Sequence, residues 1–385
     1  MTLLSVKGID FSAHEKYYSE PLMGALRVLA SDNEDLCING QRVPYHVRQR
    51  TAREYFGVLL QACDRGGFSL PTASVHQIDS VIAADNAFNP QKCSWIVATQ
   101  RHHAFKKGNV QKQVFDILAK LFSYKKFTEG IGWRFEGNCI KQVNLHDLGV
   151  AWGSNEYLSK LIRINRLRFC PYCNAETIFF LNGLTNRKGK SLSPFDHFYP
   201  DAPFPYLGVS VFNLIPCCVH CNSSMKGDKL PMSKMGRWPN PYADDFNCLA
   251  KFKYQSDPLL ALLGATTADL KVNFDFNVHH NVPDVQAFVK VMNILEKYNQ
   301  SYHVEINELP EKLSCIFRQA PNLVEDLFGT GKGASLVRYV LNCSLDDREI
   351  HYERLSKMNL DLIEDLGCMQ ALLCLVNQNA SALAT

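Results

Sequence analysis

Two pairs of cysteines with identical spacing constrain this chain more than any other feature. Cys170 and Cys173 form the first Cys-x2-Cys pair, and Cys218 and Cys221 form the second. This spacing lets one tight turn present two thiolates, and two such turns complete a tetrahedron around zinc. The sequence therefore predicts a structural Zn2+ site with these four ligands. The alternative is that all four are buried or oxidised thiols.

Two neighbouring residues leave the ligand set open. Cys217 directly precedes the second pair, and His220 lies within it. His220 could replace a cysteine, because imidazole also binds zinc, and Cys217 could shift the register by one residue. We prefer Cys218 and Cys221 and interpret Cys217 as a packed neighbour.

Length, charge and cysteine content set broad limits on the fold. The chain has 385 residues and is 46% hydrophobic, which is enough for two or three domains with packed cores. Its 41 Lys and Arg residues nearly balance 38 Asp and Glu residues, so any nucleic-acid-binding surface must be local. Fourteen cysteines in a long chain of this kind indicate metal ligands and buried thiols rather than a disulfide framework.

Hydropathy gives no indication of a membrane partner. No run of about 18 apolar residues is present, and the N-terminal apolar run is too short for a signal peptide. We therefore expect a cytoplasmic protein.

Changes in composition divide the chain into three predicted regions. Residues 1–150 are expected to be mainly helical and to recognise a substrate or a partner. Residues 151–250 are rich in Pro, Gly, Asn and Cys, which suits a zinc-held unit whose own apolar core is small. Residues 251–385 are expected to be mainly helical again. The predicted fold class is α+β.

Local patterns predict individual elements. Apolar spacing of three and four residues predicts helices at 47–63, 111–122 and 155–168, and Gly66-Gly67 marks a turn. Strands are predicted at 252–254 and 272–276. Further helices are predicted at 285–298, 336–341 and 360–375.

Polar residues between and after the cysteine pairs suggest phosphodiester chemistry. Asp196 and His197 are adjacent, Asn213 begins an apolar stretch that predicts a strand, and Asn222 directly follows Cys221. Phosphodiester hydrolysis needs a base and a cation, and imidazole and carboxylate groups can supply a base and a metal ligand. Neighbouring residues on a strand face opposite sides, so the strand must twist or end for both to serve one phosphate.

Residues 170 to about 245 resemble the HNH endonuclease family, whose core is two strands and a helix around one metal ion. Asp196-His197 matches the motif of the first strand, Asn213 the central Asn, and Asn222 the last motif position. The run from Cys221 to Lys229 resembles the CNxxKGD ending of many members, with one extra residue before Lys226. Asn240-Pro-Tyr-Ala-Asp-Asp245 also resembles a segment that follows the motif in many bacterial members.

The resemblance implies a ββα-metal core, braced by zinc and embedded between largely helical regions. It implies that His197 is the general base, that Asp196 and Asn222 hold Mg2+ or Mn2+, and that Asn213 braces the loop between the strands. The style of the motif is similar to the HNH subunit of Septu-type anti-phage systems. That similarity implies a defence nuclease with an ATPase or another defence protein as partner.

The expected substrate is nucleic acid, and the resemblance favours DNA. Lys226 and the loop residues Arg187, Lys188 and Lys190 are candidates for phosphate contacts, although a solvated loop explains the latter three equally well. A rival hypothesis is a zinc-ribbon module that binds nucleic acid or protein without cutting. Such a module would need none of Asp196, His197 and Asn222.

Overall fold

Helices and small sheets are mixed along the chain, which gives an α+β fold. The computed structural model describes residues 3–32, 34–88, 110–178, 195–232, 236–256, 262, 269–279, 282–328, 338–341, 343, 345 and 353–373. None of the helices within these ranges combines the length and the apolar character needed to cross a membrane.

The N-terminal part is built on helices that bury one apolar face. They are α1 (Glu20–Ala30), α2 (Arg50–Gly66), α3 (Val75–Ala87), α4 (Val110–Leu121) and α5 (Tyr124–Thr128). Helix α2 ends where Gly67 adopts φ +62°, a left-handed conformation that glycine tolerates, and the amide of Phe68 donates back to the carbonyl oxygen of Cys63. The turn expected at Gly66-Gly67 is thereby confirmed.

The same part of the chain contains a four-stranded sheet that the sequence pattern did not indicate. Its strands are β1 (Cys37–Ile38), β2 (Gln41–Arg42), β3 (Ile131–Glu136) and β4 (Cys139–Asn144), in the order β2-β1-β4-β3. Asn39 and Gly40 join β1 to β2 with positive φ angles, the backbone that a two-residue hairpin turn requires. β1 runs parallel to β4, and the other pairs are antiparallel. Strands of two residues are too short to show an alternating pattern.

The central part carries the cysteine pairs. Helix α6 (Ser154–Asn165) leads to the first pair, and β5 (Phe195–His197) pairs antiparallel with β6 (Leu214–Pro216). Helix α7 (His220–Lys226) begins between the two cysteines of the second pair. The order along the chain is therefore strand, strand, helix.

The C-terminal part adds a hairpin and further helices. Its elements are α8 (Phe246–Leu249), β7 (Ala250–Tyr254), β8 (Val272–Phe276), α9 (Val282–Val291), α10 (Ile294–Ser301), α11 (His303–Phe328) and α12 (Ser356–Asp365). The edge of β7 that β8 does not pair is covered by α12. There the amide of Phe252 donates to the carboxylate of Asp361, and the amide of Tyr254 donates to Asp365. These bonds satisfy edge amides that would otherwise need water.

Most of the elements predicted from local patterns are present, and the differences lie at their ends. The strands at 252–254 and 272–276 are confirmed. The helix predicted to reach residue 168 ends at Asn165, because Arg166 is left-handed with φ +47°. The helix predicted at 285–298 is divided by a left-handed Asn293. The one predicted at 360–375 is divided at left-handed Gly367 into Ser356–Asp365 and a helical segment at residues 369–373. Of the helix predicted at 336–341, residues 338–341 are described and are helical.

Helix α3 holds the long loop between β5 and β6 in place. The hydroxyl of Tyr199 donates to Asp79 at 2.6 Å, and the hydroxyl of Tyr206 donates to Asp85 at 2.8 Å. Burial and the neighbouring Asp79 raise the pKa of Tyr199 well above its usual range, so Tyr199 keeps its proton and remains the donor. The N-terminal helices therefore act as a support for the central unit.

We expect Tyr199→Phe to lower the free energy of unfolding by about 1 to 3 kcal/mol, because a buried hydrogen bond to a carboxylate is lost. The measurement is urea unfolding followed by circular dichroism. Tyr339→Phe is the matched control, since Tyr339 is 81% exposed. Equal unfolding midpoints for the two variants would contradict the anchoring role.

Candidate metal centre and hairpin site

The four predicted zinc ligands converge on one point. The sulfur atoms of Cys170, Cys173, Cys218 and Cys221 all lie within 4.8 Å of one another, and all four residues are buried. A tetrahedral zinc ion with Zn–S bonds of about 2.3 Å needs sulfurs close together in this way. The cluster can therefore hold a zinc ion, as the spacing predicted.

The first cysteine pair is held by a tight backbone turn. The amide of Asn174 donates to the carbonyl oxygen of Cys170 at 2.7 Å, and Asn174 itself is left-handed with φ +51°. The amide of Cys170 donates to the backbone carbonyl oxygen of Glu176 at 2.8 Å, which closes the turn on its other side. This backbone directs both thiols of the pair inward.

The second pair forms a similar turn at the start of α7. The amide of Cys221 donates to the sulfur of Cys218 at 3.4 Å, and the amide of Asn222 donates to the carbonyl oxygen of Cys218 at 3.0 Å. An amide that donates to a metal-binding sulfur stabilises its thiolate form. The turn therefore stabilises the Cys218 sulfur in the thiolate form that binds a cation.

The two residues that left the ligand set open are both outside the cluster. Cys217 is buried but is not a member, and burial followed by the charge of Asp196 raises the pKa of its thiol well above the usual range. His220 is exposed to solvent. The preferred assignment of Cys218 and Cys221 is therefore the one that the geometry fits.

A lysine and a tyrosine from the C-terminal part complete the surroundings of the cluster. The ammonium of Lys297 lies 3.9 Å from the sulfur of Cys173 and 2.8 Å from the carboxylate of Glu176. The hydroxyl of Tyr298 donates to the carbonyl oxygen of Cys173 at 2.6 Å. Four thiolates around one zinc ion carry a net negative charge, which a nearby ammonium offsets. Nothing in the local sequence of Lys297 indicated this role, because it lies far along the chain from the cysteines.

Asp196 lies beside the cluster in a buried ion pair. Its Oδ1 accepts from the ammonium of Lys226 at 2.9 Å, and its Oδ2 accepts from the hydroxyl of Tyr172 at 2.6 Å. The side chains of Asp196 and Lys226 are only 3% and 2% exposed. Burial, then the charge of Asp196, raises the pKa of Tyr172 well above its usual range, so it remains a donor. Tyr172 lies inside the first cysteine pair, and nothing in its local sequence indicated this contact.

His197 points away from Asp196, as adjacent residues of a strand do. Its Nε2 lies 3.0 Å from the carbonyl oxygen of Gly208, and its ring packs edge-on against Tyr124 with centroids 4.7 Å apart. A carbonyl oxygen can only accept, so Nε2 carries the proton and Nδ1 is unprotonated in the neutral ring. His197 is half-buried, so one side of the imidazole is held and the other can meet solvent.

Asn213 braces the loop between β5 and β6, as the resemblance implied. Its Oδ1 accepts from the amide of Tyr199 at 2.8 Å, and its amide nitrogen donates to the carbonyl oxygens of Tyr199 and Leu207 at 3.0 and 3.4 Å. Leu207 directly precedes Gly208, the residue that holds His197. Asn213 therefore acts on His197 by fixing the loop and not by direct contact.

Helix α7 lies across the first strand. The side-chain amide of Asn222 donates to the carbonyl oxygen of Phe195 at 3.4 Å, and Lys226 donates to the carbonyl oxygen of His197 at 2.7 Å. The helix is wound as a π-helix, with the amide of Gly227 donating to the carbonyl oxygen of Asn222, five residues earlier. This wider turn absorbs the extra residue before Lys226 and keeps Cys221 and Lys226 on one face.

Asp196, His197 and Asn222 all lie on the hairpin of β5 and β6 or on α7, but each is hydrogen-bonded to a different residue. None of Asp196, His197 and Asn222 is hydrogen-bonded to another of the three in the described part of the chain. A divalent ion held by Asp196 and Asn222 does not fit this arrangement, because Lys226 and Tyr172 occupy the carboxylate and bury it. Arg187, Lys188 and Lys190 lie outside the described residues.

Comparison with protein-family models, with curated proteins and with solved structures finds no match for this chain.

We expect Cys170→Ser to abolish zinc binding, because three thiolates cannot complete the tetrahedron. The measurement is zinc per chain by plasma mass spectrometry after extensive dialysis. Cys217→Ala is the matched control, since it removes a buried sulfur next to the cluster and should leave zinc content unchanged. Zinc retained by Cys170→Ser, or lost from Cys217→Ala, would contradict the ligand assignment.

The buried ion pair gives a second prediction. Asp196→Asn should lower the free energy of unfolding by about 3 to 5 kcal/mol, because it leaves the Lys226 ammonium buried without a counter-charge. The double variant Asp196→Asn with Lys226→Met should recover part of this loss, since no unpaired charge remains. Denaturant unfolding of both single variants and the double variant measures the coupling. A coupling close to zero would show that the two charges do not interact.

Proposed function

We propose that the protein is a zinc-braced nuclease of the HNH type that hydrolyses phosphodiester bonds of nucleic acid, with DNA as the favoured substrate. The proposal rests on the hydrogen bond that fixes the His197 ring. Its Nε2 is bound by the carbonyl oxygen of Gly208, in a loop that Asn213 braces. A histidine fixed in this way is oriented as a general base must be.

The tautomer of His197 supports a specific role for its other ring nitrogen. With Nε2 protonated and bound to Gly208, Nδ1 is the atom that can take a proton from an attacking water. The Gly208 carbonyl oxygen stabilises the positive charge that then forms on the ring, because a hydrogen bond strengthens when its donor becomes charged. The edge contact with Tyr124 keeps the ring from turning.

Helix α7 gives the hairpin a fixed partner. Asn222 and Lys226 bind backbone carbonyl oxygens of the strand on both sides of Asp196, and the cysteine cluster fixes the start of the helix. A metal-held frame of this kind lets a small unit keep side chains in place without a large core. It is this rigidity, combined with a half-buried base, that favours catalysis over a purely structural role.

Dependence on Mg2+ or Mn2+ is implied by the family resemblance and forms a separate part of the proposal. In the described arrangement the Lys226 ammonium neutralises Asp196, so an ion at Asp196 would first require Lys226 to leave. Service as the nuclease of an anti-phage system, with an ATPase or other defence partner, also follows from the resemblance alone.

A second candidate function is a zinc-ribbon module that binds nucleic acid or protein without cutting. The specific observation in its favour is the same buried pair, because an Asp196 that is neutralised by Lys226 offers no open carboxylate. The side chain of His197 is not needed by such a module. Cleavage therefore separates the two candidates.

We expect the purified protein to nick or cut plasmid DNA in the presence of Mg2+ or Mn2+, and His197→Ala to reduce the rate by about 100-fold to 10,000-fold, because a general base contributes this much. Cleavage is followed on agarose gels, with single-stranded DNA and RNA as parallel substrates. His220→Ala is the matched control, since His220 is an exposed histidine of the same zinc turn.

Zinc content and thermal unfolding are measured on both variants to show that the frame is intact. Cleavage by His197→Ala at the wild-type rate would show that His197 is not the general base. Cleavage by the wild-type protein in EDTA would contradict the divalent-ion part alone. Binding without cleavage across all metals and substrates would favour the binding module.

A further inference from the structure

Two cysteines far from the zinc cluster lie side by side on the N-terminal sheet. Cys37 on β1 and Cys139 on β4 are direct partners in the parallel pairing of these strands. Neighbouring strands lie about 4.8 Å apart, which is within the Cα separation that a disulfide spans. Both residues are partly exposed.

The side chains of this pair point to the same face of the sheet. The next pair in register, Ile38 and Ile140, is buried at 2% and 0% exposure and faces the core. Because side chains alternate along a strand, Cys37 and Cys139 both face outward. The neighbouring thiol of Cys37 is the largest cause of a raised pKa at Cys139, as expected for two thiols that lie close together.

Charged residues flank the pair in the same row across the sheet. Arg42 is the partner of Cys37 on β2, and Glu136 is the partner of Cys139 on β3. Lys141 lies two residues from Cys139 on the same face and pairs with Glu136 at 3.3 Å. The pair therefore sits on an open, polar surface that small oxidants can reach.

We propose that Cys37 and Cys139 form a reversible disulfide when a low-molecular-mass disulfide is the oxidant. With a disulfide oxidant, the thiolate of Cys37 attacks one oxidant sulfur, forms a mixed disulfide and expels one small thiolate. Cys139 then loses its proton and attacks the sulfur of Cys37, which forms the protein disulfide and expels the second small thiolate. The two protein sulfurs are oxidised by two electrons in total, and the oxidant becomes two thiols that take up the two protons.

The cross-link would close a loop of about 100 residues, from position 37 to position 139. This loop contains α2, α3 and α4, and α3 carries Asp79 and Asp85, which bind the loop tyrosines of the central unit. A bond that closes so long a loop restricts the unfolded chain strongly. The oxidised protein is therefore the more stable form.

The test uses reduced, zinc-loaded protein incubated with oxidised glutathione and then blocked with N-ethylmaleimide. Peptide mapping by mass spectrometry is expected to find a peptide linked through Cys37 and Cys139, lighter by about 2 Da than the sum of its reduced halves. The midpoint of thermal unfolding is expected to rise on the order of 5 °C. Zinc content is measured on the same samples and is expected to stay constant.

Matched variants distinguish this pair from other thiols. Cys37→Ser and Cys139→Ser should each abolish the linked peptide and the rise in unfolding midpoint, whereas Cys315→Ser, at an exposed cysteine elsewhere, should keep both. Recovery of Cys37 and Cys139 as separately blocked or separately glutathionylated residues overturns the proposal. So does a linked peptide that forms only after zinc is released.

Discussion

The rest of the central unit depends on the convergence of four sulfurs from two distant turns. The first cysteine pair follows α6 along the chain, and the second pair lies between β6 and the first turn of α7. The cluster therefore links α6 to the hairpin of β5 and β6. Lys297 and Tyr298 attach the C-terminal part to the same point. A bound zinc ion would therefore stabilise contacts well beyond its own ligands. Without a cation, four thiolates could not share this buried junction, because burial and like charge would favour protonated thiols.

The same junction explains why the hairpin can be so short. Strands of three residues offer few hydrogen bonds of their own, and an isolated hairpin of this size is not stable in water. Here the side chains of Asn222 and Lys226 donate to backbone carbonyl oxygens of β5. Asn213 braces the loop between the strands, and a tyrosine hydroxyl attaches that loop to α3. The carbonyl oxygens of Phe195, His197 and Leu214 accept hydrogen bonds from side chains in this way, which reduces the number of unsatisfied polar groups in the short hairpin.

Much of the cluster could be predicted from the sequence, but the state of Asp196 could not. Cysteine spacing is a local signal, and it indicated the four buried cysteines that the structure brings together, with buried Cys217 outside that group. The hold on His197 by Gly208 and the pairing of Asp196 with Lys226 and Tyr172 are tertiary contacts between residues 11 to 30 positions apart. Periodicity also missed the N-terminal sheet, because β1 and β2 have two residues each and the six-residue strands β3 and β4 do not alternate regularly between buried and exposed residues. Helix ends were misplaced where Arg166 and Asn293 adopt left-handed backbones, which Arg rarely does and which Asn does more often than most residues.

The π-helical winding of α7 also bears on how such sites vary in length. An α-helix brings a residue back to the same face after about four positions, and a π-turn does so after about five. Cys221 and Lys226 are five apart and both buried, while Ser223 and Ser224 between them are exposed. A chain with one residue fewer in this interval can keep the same cysteine and lysine in place simply by winding the turn more tightly. The separation of these two residues along a sequence is thus a poor guide to whether their side chains meet.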